Sequence, residues 1–500
     1  MTDTTALAAP QEGKPFPFNN QQLAAIKDMV SWFENIMRIV RYNRANQIYD
    51  ALEPYILQGF AGTGKTTLVK QLLTDLKIPL SRIALIAPTN RAAKVLGNKT
   101  GIPTRTMFSL IYSSEREELE YQRVRLRIWN EAANFSMLGD LLIADQQDGL
   151  DEEFEDEWES GHWEGYDKAV AKAEFMSDRQ EIVLRLEDIT LPEDPEARLD
   201  LFVSMKKERI KTHEKNIKEI LRQDMPMHKR SPEELLKKYD AILCDESSML
   251  SEKNGNDLVS YGVPVFLVGD PFQLPPVKAR AYWDGKTPNS LLTKIERQKG
   301  PGAGIPLAGE ELRNGRIPRS NESLTIHPRQ GKMSLPKEVF MAADQILVRT
   351  HTVRERIVES MRKWLGFYGP GPMKGEKIVA AYNDKGIGIM NGELYEVLEA
   401  RYERGDTVVE MDLKDPFGKV IPSVKAWVKG FGGRSQTDKL DEAFGKFWFG
   451  YAITCHQSQG SEWPVVIVYD DGPGPSGKLE YYRWLYTAIT RASRKCEWIR

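Results

Sequence analysis

The feature that most constrains this chain is a glycine-rich segment of eight residues, Gly59 to Thr66, with the sequence GFAGTGKT. A short apolar run at Tyr55 to Leu57 precedes it, and Thr66 to Leu76 follows with apolar residues at helical spacing. Glycines let backbone N–H groups curve around a phosphate chain, and the N-terminus of the next helix attracts the same negative charge. A G-x-x-x-x-G-K-[ST] pattern between a strand and a helix therefore predicts a nucleoside triphosphate site, with ATP as the expected nucleotide.

Catalytic chemistry is expected from this phosphate loop and from a second, acidic segment. Lys65 is expected to reach the β- and γ-phosphates, and the Thr66 hydroxyl to ligate Mg²⁺. The apolar strand Ala241 to Cys244 ends in Asp245 and Glu246. There Asp245 can hold the Mg²⁺ water shell and Glu246 can orient and deprotonate the attacking water, whereas an acidic surface turn is the alternative for the pair alone. The expected nucleotide contacts of the loop are Gly59, Ala61, Gly62, Thr63, Gly64, Lys65, Thr66 and Thr67.

Hydrophobic patterning predicts an α/β fold with parallel sheets. Helical spacing over Gln21 to Val40 indicates an opening helix, with Asn19 and Asn20 as candidate caps. Short β-prone runs at 83–87, 241–244 and 263–268 alternate with helix-like segments, which is typical of a parallel sheet. After an N-terminal tail at 1–16, the first folded core is expected over 17–112 and 236–284.

An insertion of different composition separates the two parts of that core at 113–235. Residues 144–167 contain eleven Asp or Glu and no Lys or Arg, whereas 206–230 are rich in Lys and Arg. We expect a solvated, charged, mainly helical subdomain. Aromatic residues within the acidic stretch indicate some packing or a surface for a protein partner; they are Phe154, Trp158, Trp163 and Tyr166.

A second α/β portion is expected over 285–374 and 434–500. Its strand candidates include Gln345 to Arg349 and Val465 to Tyr469, with Phe447 to Ala452 assigned to the same domain. Between the two parts, residues 375–433 show short alternating runs punctuated by Gly and Asp, which predict a small inserted β-barrel.

Composition excludes several classes of protein. The formal charge of −3 excludes a uniformly basic surface, so any nucleic acid must be held in a local groove. Three scattered cysteines, Cys244, Cys455 and Cys496, predict neither a disulfide framework nor a zinc cage. The longest apolar runs are too short to span a bilayer, and the N-terminus lacks a secretory pattern. We therefore expect a cytoplasmic protein without membrane contact.

Four further segments carry a family resemblance: APTNRAA at 87–93, VGDPFQLPP at 268–276, YAITCHQSQG at 451–460 and YTAITRA at 486–492. With the phosphate loop and the acidic pair, in this order, they resemble the superfamily 1 DNA helicases of the RecD/Dda-like group, with a UvrD-like C-terminal domain. The resemblance runs from residue 17 to the end of the chain and leaves 113–235 uncovered. It implies two RecA-like P-loop domains with an inserted SH3-like β-barrel, and ATP with Mg²⁺ between the two domains.

The resemblance implies roles on the ATP side. Gln22 resembles the adenine-reading glutamine of the family, although a plain polar helix start would also explain it. Gln273 resembles the glutamine that senses the γ-phosphate. Arg297 and Arg491 resemble the arginines supplied to the γ-phosphate, where a planar guanidinium neutralises transition-state charge; a surface ion pair is the alternative, above all for Arg297. Gly460 joins the expected nucleotide contacts. The implied catalytic set is Lys65, Glu246, Gln273, Arg297 and Arg491.

The resemblance also implies a DNA track that grips phosphates and sugars without sequence preference. Thr106-Met107-Phe108 stands where many relatives have Thr-Ile-His, and Gln457 stands where a lysine is common. Phe108 is therefore expected either to stack on a base or to be a buried aromatic. The expected DNA contacts are Pro88, Thr89, Asn90, Phe108, Thr454, His456, Ser458 and Gln459.

Taken together, the motifs predict an ATP-dependent DNA helicase, and the resemblance implies 5′-to-3′ movement on single-stranded DNA. Single strands and duplex junctions are the expected partners, the 113–235 insertion offers a dock for a protein partner, and a monomer is favoured. One alternative is a DNA-stimulated ATPase that serves recombination or repair without processive unwinding. Another is a P-loop kinase or GTPase, which the YTAITRA motif near the C-terminus disfavours.

Overall fold

A computed structural model of the protein describes residues 18–46, 48–114, 125–126, 128–130, 132–133, 136–138, 194–222, 227–277, 279–296, 302–328, 336–384, 387–403, 405, 407–433, 444–474 and 477–500. The chain divides into two units, one of residues 1–112, 229–383 and 389–500 and the other of 113–228 and 384–388. Strands and helices alternate along the first unit, so the predicted α/β class with parallel sheets is confirmed.

The described helices are α1 Asn20–Ala45, α2 Lys65–Asp75, α3 Asn90–Thr100, α4 Met107–Ile111, α5 Pro195–Arg222, α6 Pro232–Lys238, α7 Glu252–Val259, α8 Gly304–Arg313, α9 Lys337–Ala342, α10 His351–Leu365 and α11 Lys478–Ile489. The described strands are β1 Tyr55–Gly59, β2 Ile83–Ala87, β3 Thr104–Thr106, β4 Tyr112–Ser114, β5 Met227–Lys229, β6 Ala241–Cys244, β7 Val265–Gly269, β8 Ser290–Leu292, β9 Leu324–His327, β10 Gln345–Val348, β11 Lys377–Ala380, β12 Leu394–Glu403, β13 Val408–Lys414, β14 Val420–Trp427, β15 Phe447–Phe449, β16 Ala452–Thr454, β17 Trp463–Tyr469 and β18 Ala492–Ile499.

Six parallel strands form the first sheet, in the order β3-β2-β6-β7-β1-β8. Alternate residues of β2 enter different apolar cores: Ile83 and Leu85 lie in one, and Ala84 and Ile86 in the other. Because both faces of the sheet are covered, its polar residues are confined to the strand ends. The loops after β1, β6 and β7 therefore meet at one edge, since these three strands are neighbours.

Helix α1 begins where the sequence predicts and brings a side chain to that edge. The Asn19 side chain accepts the Gln22 N–H at 3.0 Å, and the Gln22 side chain accepts the Asn19 N–H at 3.0 Å, which forms a capping box. Met29 and Phe33 are buried against the first sheet. The packing of this apolar face holds Gln22 beside the phosphate loop.

Five parallel strands form the second sheet, in the order β16-β10-β17-β18-β9. Helix α11 packs on it with Trp484 and Leu485 buried in the same core as Val466 and Trp498. The YAITCHQSQG segment comprises β16 and the turn after it, and the YTAITRA segment comprises the end of α11 and the turn that leads into β18. This sheet therefore presents a second set of motif residues.

A five-stranded antiparallel sheet, β14-β13-β12-β11-β15, is inserted in the chain between strands of the second sheet. Two expected boundaries are wrong. Strand β15 pairs with β11, so this insert extends beyond 433, and β8 pairs with β1, so the first core extends beyond 284. Both strands have three residues, which is too short for a periodicity to be visible in sequence.

The second unit is described in part. Helix α5 contributes Phe202 to a small apolar core with Ile128, Trp129 and Leu138. The acidic stretch at 144–167 lies outside the described residues, so the expectation for it stays a prediction. Within the ranges described above, none of the helices has both the length and the apolar composition that crossing a bilayer requires.

A buried ionic contact joins the antiparallel sheet to helix α3. Lys94 Nζ lies 2.8 Å from Glu393 Oε1 and 2.7 Å from Asp415 Oδ2. The two carboxylate side chains are 4% and 3% exposed, and that of Lys94 is 29% exposed. Burial raises the pKa of Asp415, but the Lys94 ammonium and two backbone N–H donors outweigh it and hold that pKa below its ordinary value. The lysine thus compensates two buried charges.

Replacing Lys94 by Met is expected to lower the free energy of unfolding by about 2 to 3 kcal/mol, because two buried carboxylates then lose their cation. Urea unfolding measures the change, and hydrogen exchange identifies the strands that open. Lys237→Met is the matched control, since Lys237 pairs with Glu233 in full contact with solvent and is expected to show no measurable change. Equal effects of the two substitutions would contradict this account.

Candidate active site

One cavity of about 660 Å³ brings together residues of both parallel sheets. From the first sheet come the phosphate loop, the acidic pair after β6 and Gln273 after β7. From the second come Gly460 and Arg491. Of the residues predicted for the ATP side, those that line the cavity are Gln22, Ala61, Gly62, Gly64, Lys65, Thr66, Thr67, Asp245, Glu246, Gln273, Gly460 and Arg491.

The phosphate loop is curved by its glycines. Gly62 and Gly64 both have φ of +80°, a left-handed conformation that side chains disfavour. A Cβ on Gly64 would also lie 2.5 Å from Gln22 Nε2. Lys65 Nζ donates to the carbonyl oxygens of Gly59 and Phe60, at 2.8 Å and 3.1 Å, so the lysine folds back over its own loop. This arrangement keeps the ammonium group within the phosphate loop, where Lys65 lines the cavity.

The acidic pair stands at the end of β6. Asp245 Oδ1 accepts the Glu246 N–H at 2.8 Å. Burial, and then the neighbouring Glu246 carboxylate, raise the pKa of Asp245 above its ordinary value. Glu246 has φ of +52°, and its Oε2 is buried without a hydrogen-bond partner among the described residues. Strain of this kind costs about 1 to 3 kcal/mol and is typical of functional sites.

The donor set suits a hard divalent cation. Thr66 offers a hydroxyl and Asp245 a carboxylate, both lining the cavity, and oxygen ligands of this kind are those that Mg²⁺ prefers. In the described part of the chain, no three His, Cys, Asp or Glu side chains converge as metal ligands. A cation here would therefore take most of its ligands from water and phosphate.

Gln22 points at the phosphate loop. Its side chain is 4% exposed, and Nε2 donates to the Thr63 carbonyl at 3.0 Å. Phe18 also lines the cavity, beside Gln22. The alternative of a plain polar helix start does not describe a buried glutamine that bonds both its own helix cap and the loop.

Gln273 and Arg491 approach the cavity from opposite sheets. Gln273 is 5% exposed, and its Oε1 has no hydrogen-bond partner within the described ranges. Arg491 is 6% exposed; Nε donates to the Thr487 carbonyl at 3.2 Å and Nη1 to the Ser461 carbonyl at 3.3 Å. A surface ion pair is therefore the wrong description of Arg491. Arg297 lies outside the described residues, and its role stays a prediction.

Gly460 allows the second sheet to approach helix α3. Its φ is +78°, and a Cβ there would lie 2.6 Å from the Ala92 Cβ. No side chain fits at this contact. Glycine is thus required at this position for the approach, in addition to lining the cavity.

The predicted DNA contacts divide into exposed and buried residues. Pro88, Thr89 and Asn90 are half-buried at the start of α3, where Thr89 Oγ1 caps the helix by accepting the Ala92 N–H at 3.2 Å. His456 is exposed. Phe108 is 40% exposed and stacks on Tyr112 with ring centroids 5.5 Å apart, so a buried aromatic is the wrong description of it.

Thr454, Ser458 and Gln459 have buried side chains that are bonded within the protein, so their role as DNA contacts stays a prediction. Thr454 Oγ1 donates to Gln457 Oε1 at 3.1 Å, and Ser458 Oγ donates to the Cys455 carbonyl at 2.7 Å. Gln459 Nε2 donates to the Leu274 carbonyl at 2.9 Å, which ties this segment to the loop that carries Gln273. Polar side chains in a tight turn satisfy the turn before they reach a ligand.

Sequence reasoning missed two residues of the site. Tyr486 Oη accepts the Ala61 N–H at 2.8 Å and donates to Asp270 Oδ2 at 2.6 Å. Both residues lie inside quoted motifs, yet neither was given a role. The signal that could have identified Tyr486 is its phenol hydroxyl, because a buried tyrosine hydroxyl usually finds a hydrogen-bond partner.

Comparisons with known proteins agree with the order of the motifs. A family model described as an AAA domain matches residues 44–279, and one described as a UvrD-like helicase C-terminal domain matches 449–497. The ATP-dependent RecD2 DNA helicase of Deinococcus radiodurans is 28% identical over 281 residues, which are 51% of this chain and 35% of that protein. The chain thus spans about a third of the length of this relative.

Solved structures of Pif1 helicases also align along most of the chain. The Bacteroides Pif1 helicase in complex with ADP-AlF3 and single-stranded DNA has 17% identity and a TM-score of 0.44, with 93% of this chain and 91% of that chain covered. The Candida albicans Pif1 helicase has 15% identity and a TM-score of 0.42, with 97% and 95% covered. TM-scores below 0.5 do not establish a shared fold. By the two domain matches, the RecD2 relative and the ordered motifs, this chain is similar to superfamily 1 helicases of the RecD-like group.

Proposed function

We propose that this protein is an ATP-dependent DNA helicase that moves 5′-to-3′ along single-stranded DNA and couples ATP hydrolysis to duplex unwinding. One observation carries the proposal: a single cavity is lined by the phosphate loop and acidic pair of one sheet and by Arg491 of another. When two bodies share one nucleotide, binding draws them together and hydrolysis releases them. That relative motion is what a translocating motor needs.

The proposed hydrolysis uses the residues of this cavity. Lys65 and the loop N–H groups bind the phosphates of ATP, while Thr66 and Asp245 hold Mg²⁺. When held by Thr66 and Asp245, Mg²⁺ would supply neutralisation of phosphate charge. The raised pKa of Asp245 supports this role, because a buried carboxylate gains most from a nearby cation. Glu246, whose Oε2 has no hydrogen-bond partner among the described residues, orients the attacking water, and Gln273 and Arg491 contact the γ-phosphate.

The architecture proposed for the motor follows from the sheets. The two parallel sheets are the cores of two RecA-like domains, and the antiparallel sheet is the inserted SH3-like barrel. The first domain then includes β8, and the barrel includes β15. The charged insertion at 113–235 is proposed to meet a duplex junction or a protein partner, and the motor is proposed to act as a monomer.

The proposed DNA track uses the exposed residues. Phe108 offers a ring for base stacking, His456 a polar edge, and the start of α3 hydroxyl and amide groups. Contacts of this kind read the backbone, so a near-neutral chain can hold DNA. Single-stranded DNA is the proposed partner.

A second candidate function is a DNA-stimulated ATPase that assists recombination or repair without processive unwinding. The same cavity and track would serve it, but the similarity to the RecD2 DNA helicase favours unwinding. A P-loop kinase or GTPase is disfavoured, because Arg491 and Gly460 reach the cavity from a second sheet that such enzymes do not need.

Single-stranded DNA is expected to raise the rate of ATP hydrolysis by the purified protein by about tenfold or more, because DNA binding favours the closed form that completes the catalytic site. Lys65→Ala is expected to abolish both the basal and the stimulated rate, since the phosphates lose their main cation. A coupled ATPase assay with and without oligonucleotide measures this. A wild-type rate that does not respond to DNA would remove the proposal.

Replacing Arg491 by Lys is expected to lower kcat for ATP hydrolysis by about 10³-fold or more, because a lysine lacks the planar fork that matches the transition-state charge. Arg494→Lys is the control, as Arg494 is exposed three residues further on. Steady-state kinetics with saturating DNA measure the difference. Similar kcat values for the two variants would rule out a γ-phosphate role for Arg491.

Strand displacement separates the helicase from the accessory ATPase. A duplex with a 5′ single-stranded tail is expected to be unwound with ATP and Mg²⁺, and one with a 3′ tail is not. Gel separation of the displaced strand gives the result, with Lys65→Ala as background. Release from the 3′-tailed duplex alone would reverse the polarity, and release from neither would favour the accessory role.

A further inference from the structure

The Tyr486 hydroxyl joins three parts of the candidate active site. It accepts the Ala61 N–H of the phosphate loop at 2.8 Å and donates to Asp270 Oδ2 at 2.6 Å. Asp270 is the first residue of the loop that carries Gln273, and Tyr486 lies in α11, which packs on the second sheet. Tyr486 and Asp270 are 1% and 0% exposed. Water therefore does not compete for the hydrogen bond to Asp270, which is fully buried, whereas the bond to Ala61 is part-buried at the cavity.

Packing holds the tyrosine ring in one place. Phe272 meets it edge-on, with centroids 5.2 Å apart and ring planes at 84°. On another side, a Cβ on Gly309 of α8 would lie 3.0 Å from Tyr486 Cε2, closer than almost any side chain approaches. Burial, and then the Asp270 carboxylate, raise the pKa of Tyr486 well above its ordinary value, so the phenol keeps its proton. The hydroxyl is thus a fixed donor to Asp270.

The same helix end carries Arg491, five residues further along the chain. Arg491 Nε donates to the Thr487 carbonyl at 3.2 Å, and Thr487 Oγ1 accepts the Leu274 N–H at 2.9 Å. The arginine is therefore anchored to the residue next to Tyr486. A shift of α11 relative to the phosphate loop would move the guanidinium by the same amount.

We propose that Tyr486 is a positioning residue for ATP hydrolysis, whose hydroxyl sets the separation between the phosphate loop and the end of α11 that carries Arg491. The inference rests on the proposed function, which gives Arg491 its role at the γ-phosphate. Tyr486 acts through the Ala61 N–H and Asp270 and touches no reacting atom. A misplacement of about 1 Å can cost on the order of 10²-fold in rate, so the missing hydroxyl is expected to be felt in kcat.

The test compares two tyrosines of the same helix. Tyr486→Phe is expected to lower kcat for ATP hydrolysis by about tenfold to a hundredfold and to leave KM for ATP within about twofold, because substrate contacts remain. Tyr481→Phe is the matched control: Tyr481 Oη donates to Asp470 Oδ2 at 2.6 Å in another buried pair, and no described hydrogen bond joins Tyr481 to the phosphate loop. It is expected to lose stability but not kcat.

Two further measurements make the test independent of how well one variant folds. Hydrogen exchange at the Ala61 N–H is expected to accelerate at least about tenfold in Tyr486→Phe and to stay unchanged in Tyr481→Phe. Asp270→Asn is expected to lower kcat as well, and the double variant is expected to be no slower than the slower single variant, since both remove one connection.

The outcomes separate the two proposals. Wild-type kcat in Tyr486→Phe, a loss no larger than in Tyr481→Phe, or additive losses in the double variant would overturn the positioning role. Should Tyr486→Phe fail to fold, wild-type kcat in Asp270→Asn would overturn it. A wild-type protein whose ATPase ignores single-stranded DNA would remove the helicase proposal alone, because the comparison of the two tyrosines uses the basal rate.

Discussion

Burial of both faces of the first parallel sheet is the constraint on which the rest of the structure depends. Strands β2, β6 and β7 are apolar along nearly their whole length, so they offer no place for a polar side chain except at their ends. The phosphate loop, Asp245 and Asp270 all follow directly from strand ends at the same edge. The reactive polar groups are concentrated there because the strands themselves are buried and only the strand ends can contact solvent.

Placing several carboxylates at one edge buries negative charge, and a contact from α11 on the second sheet offsets part of that cost. Asp245 and Asp270 are buried, and burial raises the pKa of both. Asp270 is compensated by the Tyr486 hydroxyl and the Phe272 N–H, at 2.6 Å and 3.0 Å. Asp245 receives one backbone N–H, that of Glu246. Asp245, which has fewer hydrogen bonds, lies where a cation is proposed. Asp270, which has more, holds the phosphate loop and α11 together through Tyr486.

Sequence predicted the elements that are long, apolar or bounded by a motif. Strands β2 and β6 were placed at the observed residues because uninterrupted apolar runs end sharply, and Asn19 caps α1 as expected. Short strands β8 and β15 were missed, since their assignment depends on a distant partner. The sequence predicted the phosphate loop and the acidic pair, because phosphate and Mg²⁺ binding require glycine, lysine and carboxylate residues at these positions. The internal hydrogen bonds of Thr454, Ser458 and Gln459 could not be predicted, because a hydroxyl or amide in a motif can bond its own turn, and only coordinates reveal which atom it bonds.

The pairing of β11 with β15 brings the two ends of the antiparallel insert side by side, with Ile378 opposite Phe449. The chain therefore leaves and re-enters the second sheet at nearly the same point. A segment anchored in this way can lengthen, shorten or be exchanged for another without altering the spacing of the strands that flank it. The second sheet thus accepts the antiparallel insert at a single position. Evolution or a protein engineer can change the insert while the residues of the nucleotide site keep their places.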